Sequence, residues 1–107
     1  VAAGMKTDHS IAEKDLVEVR QIVLQGLQGH RARVYLFGSH VKGDSHVGSD
    51  IDVGVLGERP IPPVVLSEVR DALEESHVPY KVDLVDLSLA DTAFVDVVVR
   101  DGVLWSG

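Results

Sequence analysis

Apolar positions along the chain follow a helical spacing in some segments and a strand-like spacing in others. They recur every three or four residues over 10–28 and again over 62–76, which predicts two amphipathic helices. Ser10 and Glu13 form a capping box, which is typical of a helix start. Pro79 follows the second segment and ends that element. The polar positions between the apolar ones indicate that each helix buries one side and exposes the other.

Four short apolar runs, rich in β-branched and aromatic residues, predict strands. The runs cover 34–37, 50–56, 80–87 and 103–105, and a short helix is predicted over about 91–99. The resulting order is α-β-β-α-β-α-β, with the last strand at an edge of the sheet. Helices that alternate with strands predict an α/β (α+β) sandwich, in which helices cover a sheet.

Size and composition favour one globular domain. A chain of 107 residues can build a single core, so residues 1–107 are interpreted as one domain, with 1–9 expected to be disordered or left over from cloning. The absence of cysteine excludes disulfides and thiol catalysis. The net charge of −7 disfavours binding to extended nucleic acid or to an anionic membrane. Without a membrane-length apolar run or a signal pattern, we expect a cytoplasmic protein.

The segment between the first two strands has the composition of a phosphate-binding loop. Residues 38–49 contain three glycines and three serines, and Gly38-Ser39 directly follows a buried strand. Glycine lets backbone N–H groups approach an anion closely, and serine adds a hydroxyl donor. Lys42 places a cation in the same loop. Taken alone, these residues fit an ordinary strand–loop turn with a solvated lysine equally well.

Asp50-Ile51-Asp52 places two carboxylates at the start of the second predicted strand. Side chains alternate along a strand, so the two carboxylates share one face and repel each other unless a cation lies between them. Oxygen ligands of this kind suit Mg²⁺ or Mn²⁺. In isolation the pattern is more typical of two solvated aspartates, so its context decides the interpretation.

The third predicted strand carries further acidic residues inside an apolar run, Val82-Asp83-Leu84-Val85-Asp86-Leu87. A charge among buried valines is costly unless it is paired or bound to a metal. Asp83 and Asp86 are an odd number of residues apart and therefore point to opposite faces. Only one of the two can join Asp50 and Asp52.

The combination of Gly38-Ser39, ten further residues, Asp50-x-Asp52 and a later strand aspartate is specific. It resembles the DNA polymerase β-type nucleotidyltransferase superfamily, and within it the minimal nucleotidyltransferases that are encoded beside HEPN-domain partners. The resemblance covers about 11–106. It implies a mixed four- to five-stranded sheet with helices packed on one face. It also implies transfer of a nucleoside monophosphate from an NTP to an acceptor, with release of pyrophosphate.

The resemblance also implies a catalytic role for each of three aspartates. Asp50 and Asp52 match the first two metal ligands of the family, and Asp83 matches the third carboxylate. The third carboxylate touches one metal only and activates the attacking hydroxyl. The expected cofactor is a pair of Mg²⁺ ions, with Mn²⁺ as an alternative, because two metals can hold both the attacking and the leaving oxygens of such a reaction.

The remaining residues that match the family motif are those implied to bind the nucleotide. Gly38 and Ser39 match the pair that grips the phosphates, with Lys42 beside them, and Ser49 precedes the metal ligands as in many members. The family often carries arginines just after Gly-Ser, where this chain has His40 and Lys42. Lysine lacks the bidentate fork of arginine, so we expect a weaker or differently directed grip on phosphate.

The chain has no room for the domains with which polymerases of this superfamily hold a template, a primer or tRNA. Acceptor recognition is therefore expected to involve a partner chain. The resemblance implies ATP as donor and a HEPN ribonuclease toxin as partner, so that this chain would be an antitoxin that transfers AMP to a toxin tyrosine. Two alternatives stay open, a non-catalytic module that neutralises the toxin by binding and a small-molecule transferase. A homo-oligomer also stays open.

Overall fold

The computed structural model describes residues 11–37 and 50–106, in the predicted order of elements. The helices are α1 (Glu13–Gly26), α2 (Pro63–Glu74) and α3 (Thr92–Asp101), and the strands are β1 (Ala32–Phe37), β2 (Ile51–Gly57), β3 (Val82–Asp86) and β4 (Val103–Ser106). A 3₁₀ turn, Leu87–Leu89, links β3 to α3. Within the described residues no helix is long and apolar enough to cross a membrane.

The four strands form one mixed sheet in the order β3-β2-β1-β4. Strand β1 is antiparallel to both of its neighbours, β2 and β4, whereas β2 and β3 are parallel. The prediction of a mixed α/β sheet with four to five strands is therefore confirmed, with four strands. The parallel β2–β3 pair matters most for function, because it places the beginnings of two acidic strands side by side.

One face of the sheet carries the larger core, beneath α1 and α2. Val34, Val53 and Val55 pack there against apolar residues of both helices. The two helices also approach each other closely, since a Cβ atom added to Gly26 would lie 2.5 Å from the side chain of Val69. Helices on this face agree with the prediction.

The opposite face carries a second, smaller core that the prediction of helices on one face did not include. Tyr35 and Phe37 point to this side of β1 and pack with Leu87 and with Val98 of α3. The rings of Phe37 and Phe94 meet edge to face, with centroids 5.5 Å apart. The third helix thus covers the opposite face, because Tyr35 and Phe37 leave β1 on that side while Val34 and Leu36 face the larger core.

The predicted start of the first helix is wrong by about two residues. Helix α1 begins at Glu13 after Ala12, which provides no side-chain cap, so the helix starts later than the predicted capping box placed it. Ser10 itself lies outside the described residues, as does the segment 1–9 that was expected to be disordered or left over from cloning. Helix α2 begins at Pro63, a residue that fits the first turn because its missing N–H needs no partner.

Candidate active site

Asp52 lies on β2, beside the two strands that flank it. It pairs in register with Phe37, the last residue of β1, and on its other side with Asp83 of β3. Its neighbours Ile51 and Val53 point into the larger core, so its own side chain is on the face that also carries Phe37. Asp52 is only 3% exposed. A buried carboxylate in this position is costly unless it is compensated.

Asp83 is the strand aspartate that the fold brings to Asp52. The two residues are direct partners in the parallel β2–β3 ladder, where neighbouring strands lie about 4.8 Å apart. Their side chains therefore leave the sheet on the same face. The sequence allowed either Asp83 or Asp86 in this position, and the register of the ladder selects Asp83.

Asp86, at the other end of β3, has a structural role instead. It is paired with Val55, whose side chain belongs to the larger core on the other face of the sheet. The Asp86 carboxylate accepts hydrogen bonds from the backbone N–H of Ser88 at 3.0 Å and from its hydroxyl at 2.7 Å. Asp86 thus caps the 3₁₀ turn that follows the strand.

Asp50 is held at the entry to β2 by hydrogen bonds to a single residue. Its carboxylate accepts from the backbone N–H of Lys81 at 3.1 Å, and its own N–H donates to the Lys81 carbonyl at 2.9 Å. Lys81 directly precedes β3, so these bonds tie the beginnings of β2 and β3 together. Asp50 is exposed, unlike Asp52 two residues later.

The three aspartates supply oxygen donors of the kind that Mg²⁺ and Mn²⁺ prefer. A divalent ion would also offset the repulsion between Asp52 and Asp83, so the donor set fits such an ion. Within 11–37 and 50–106, however, no three acidic or histidine side chains stand as a group that could hold a metal. The structure brings Asp52 and Asp83 together, whereas convergence of all three carboxylates on metal stays a prediction.

The predicted phosphate-binding residues Gly38, Ser39, Lys42 and Ser49 lie outside the described residues, as does His40. Phe37, which immediately precedes Gly38 in the chain, is the described residue that pairs with Asp52. The described part of the site therefore consists of the ends of three strands, with an aspartate on each of two of them.

Comparison with known proteins gives the family. A family model described as "Polymerase beta, Nucleotidyltransferase" matches residues 27–105, which is most of the chain. The chain belongs to this family. As a polymerase β-type nucleotidyltransferase, it carries its aspartate pair and its third strand aspartate within the matched range. The resemblance found in the sequence is confirmed.

Two curated relatives of this nucleotidyltransferase are protein adenylyltransferases. The chain is 30% identical over 88 residues to the probable protein adenylyltransferase MntA of Haemophilus influenzae, a match that covers 82% of this chain and 75% of that one. It is 40% identical over 73 residues to the protein adenylyltransferase MntA of Shewanella oneidensis. The second match covers 67% of this chain and 52% of the relative, so the chain spans about half of that protein.

Several solved structures similar to this nucleotidyltransferase are of toxin–antitoxin systems. An MntA–HepT complex matches with a TM-score of 0.64 at 26% identity, over 90% of this chain and 73% of that one. A complex of an MNT antitoxin with a tri-AMPylated HEPN toxin from Shewanella oneidensis matches with a TM-score of 0.63 at 26% identity, over 89% and 71%. A toxin–antitoxin structure with AMP-PNP matches at 32% identity with a TM-score of 0.58, over 82% and 73%.

Proposed function

We propose that the chain is a metal-dependent protein adenylyltransferase that moves AMP from ATP to a hydroxyl of a HEPN toxin and so acts as its antitoxin. The observation that carries the proposal is the pairing of buried Asp52 with Asp83 on neighbouring parallel strands. A module that only binds its partner has no need to hold two repelling carboxylates side by side. The relatives named as protein adenylyltransferases supply the reaction class.

The transfer is a substitution at the α-phosphorus of ATP. The acceptor oxygen forms a bond to this phosphorus while the bond to the β-bridging oxygen breaks, and pyrophosphate leaves. Asp83 takes the proton of the attacking hydroxyl in this proposal. Such a reaction depends on in-line positioning and on neutralisation of charge more than on covalent help from the protein.

Asp50, Asp52 and Asp83 would hold the divalent ions, which we propose to be two Mg²⁺ with Mn²⁺ as an alternative. When bound, the ions neutralise phosphate charge and align the attacking and leaving oxygens. The hydrogen bonds between Asp50 and Lys81 keep the beginnings of β2 and β3 in fixed relation, so the carboxylates of the two strands are positioned before nucleotide arrives.

The proposal also assigns four residues to nucleotide binding, namely Gly38, Ser39, Lys42 and Ser49. Their assignment rests on the sequence pattern, in which Gly38-Ser39 follows the strand residue that pairs with Asp52. Backbone N–H groups and a serine hydroxyl would bind the outer phosphates, and Lys42 would add a positive charge. A cytoplasmic location belongs to this proposal because ATP and an intracellular toxin are available there.

The proposed acceptor is a tyrosine of the HEPN partner. Support comes from the similar complexes, one with a tri-AMPylated HEPN toxin and another with AMP-PNP. One further similar toxin–antitoxin structure carries aspartate-to-glutamate substitutions at two positions that are two residues apart, the spacing of Asp50 and Asp52 here.

The position of a radiolabel tests the reaction class. With a HEPN toxin as acceptor, label from [α-³²P]ATP is expected to reach the toxin in the presence of Mg²⁺, whereas label from [γ-³²P]ATP is not, because the γ-phosphate leaves in pyrophosphate. EDTA serves as the control and should abolish transfer. Label from the γ position would identify a kinase instead. If the toxin is neutralised but carries no label, the result would favour the alternative that the chain is a non-catalytic binding module.

A further inference from the structure

A positively charged cleft lies at the end of the β1–β2 pair that is farther from the aspartates. Its larger part is a cavity of about 600 Å³ whose lining includes Arg31, Arg33, Leu56 and Glu58. An adjoining cavity of about 310 Å³ shares Arg31 and Glu58 and adds Arg59. We call the two cavities together the arginine cleft. The mechanism proposed above uses none of these residues.

The arginine cleft concentrates positive charge in a chain that carries net negative charge. Three of the ten Lys and Arg residues line it, against one carboxylate, although the chain as a whole is at −7. All three arginines are exposed, and among the described residues no ion pair joins any of them to Glu58. The N–H of Glu58 instead donates to the Arg31 carbonyl at 2.9 Å, which fixes the backbone and leaves the guanidinium groups available.

The part of the arginine cleft around Arg33 and Leu56 lies on the sheet face that carries Asp52. Arg33, like Tyr35 and Phe37, is at every second position of β1, so the three side chains leave the strand on the same face. Arg33 also pairs with Leu56 on β2, which packs against the second core on that face. Asp52 and Leu56 are four residues apart on β2, which is about 13 Å along the strand. A folded protein that presents a hydroxyl at Asp83 can therefore reach the cleft with a neighbouring segment.

The lining of the cleft favours an acidic polypeptide over RNA. Proteins hold single-stranded nucleic acid by stacking bases on aromatic side chains, and none of the residues that line either cavity is Phe, Tyr or Trp. A long polyanion would also meet the negative charge of the rest of the chain. A short acidic segment brings only a few charges, and its aliphatic stems can rest on Leu56 and Ile61.

We propose that the arginine cleft docks an acidic segment of the protein acceptor while its hydroxyl lies at the aspartates. This inference rests on the proposed function for the identity of the partner. Exposed charges act mainly on encounter and affinity, so the cleft should govern the KM for the protein acceptor and leave kcat nearly unchanged.

The effect of charge reversal on the binding of an acidic peptide tests the arginine cleft without requiring AMP transfer. Fluorescence anisotropy of a labelled octaglutamate peptide is expected to show binding at low salt that weakens as salt is raised, because exposed charges are screened. Binding should fall at least tenfold in Arg31→Glu/Arg33→Glu. The control is the single charge reversal Arg100→Glu, which alters an exposed arginine of α3 that donates a hydrogen bond to Asp101 at 3.3 Å. That control should bind the peptide like the unaltered chain.

The same variants then enter the transfer assay with the HEPN protein. Arg31→Glu/Arg33→Glu should raise the KM for the toxin at least tenfold and change kcat less than twofold, and Arg31→Gln/Arg33→Gln should give a smaller rise if charge is the cause. Equal peptide binding by all variants would overturn the proposal. Tighter binding of an RNA of the same length, lost on charge reversal, would overturn it in favour of nucleic acid. Because peptide binding is measured without ATP, failure of transfer alone would count against the proposed function and not against the cleft.

Discussion

AMP transfer by the double variant Asp50→Asn/Asp52→Asn is expected to fall by at least about 10³-fold. The reason is that asparagine keeps the shape of both side chains and removes the charge that would hold divalent ions. Loss of several kcal/mol of transition-state stabilisation corresponds to a decrease of this size. Calorimetry with ATP and Mg²⁺ should show that nucleotide binding disappears in the same variant.

The variant should remain folded, because the amide oxygen of asparagine can still accept the hydrogen bond from Lys81. The control is Asp71→Asn, which removes one negative charge from an exposed position on α2 and should leave both transfer and binding unchanged. Retention of ATP binding and transfer by the double variant would show that the two aspartates hold no metal.

Asp83→Asn is expected to reduce AMP transfer by about 10²–10⁴-fold, the range found when a general base is removed. In contrast to the double variant, it should still bind ATP with Mg²⁺, since Asp50 and Asp52 are intact. Single-turnover kinetics measures the loss of transfer, and calorimetry measures whether ATP still binds.

Asp86→Asn is the matched control for this prediction. It makes the same chemical change three residues along the same strand, on the other face, and asparagine can still accept the hydrogen bond from the Ser88 N–H. Transfer should be retained. If Asp86→Asn abolished transfer and Asp83→Asn did not, the assignment of the third carboxylate would be reversed.

The order of elements could be predicted from the sequence because each of them has its own local signal. Breaker residues separate the apolar runs, and the apolar spacing distinguishes helix from strand. Boundaries were less well determined, as the start of α1 after Ala12 shows, since a capping box is only one of several ways to begin a helix.

Features that depend on which strands are neighbours were harder to predict. The location of α3 follows from Tyr35 and Phe37 pointing away from the larger core, which a strand sequence alone does not reveal. The choice between Asp83 and Asp86 followed only from the family resemblance until the parallel register of β2 and β3 placed Asp83 beside Asp52.

The arginine cleft had only a weak local signal in the sequence. Arg59 is far along the chain from Arg31 and Arg33, and the antiparallel pairing of Ala32 with Gly57 brings the two segments together. An alternating Arg-x-Arg pattern at the start of a strand is the one hint in the sequence, and it acquires meaning only once the partner strand is known.

The most direct test of the account is the location of a bound ion. Crystals of the complete toxin–antitoxin complex with Mn²⁺ and a non-hydrolysable ATP analogue should give an anomalous difference peak for Mn²⁺ at coordination distance from the carboxylates of Asp52 and Asp83. Asp50 should be a further ligand of the ion. The nucleotide phosphates should bind the same ion. A nucleotide and Mn²⁺ bound elsewhere on the chain, with Asp52 and Asp83 making no contact with either, would contradict the account.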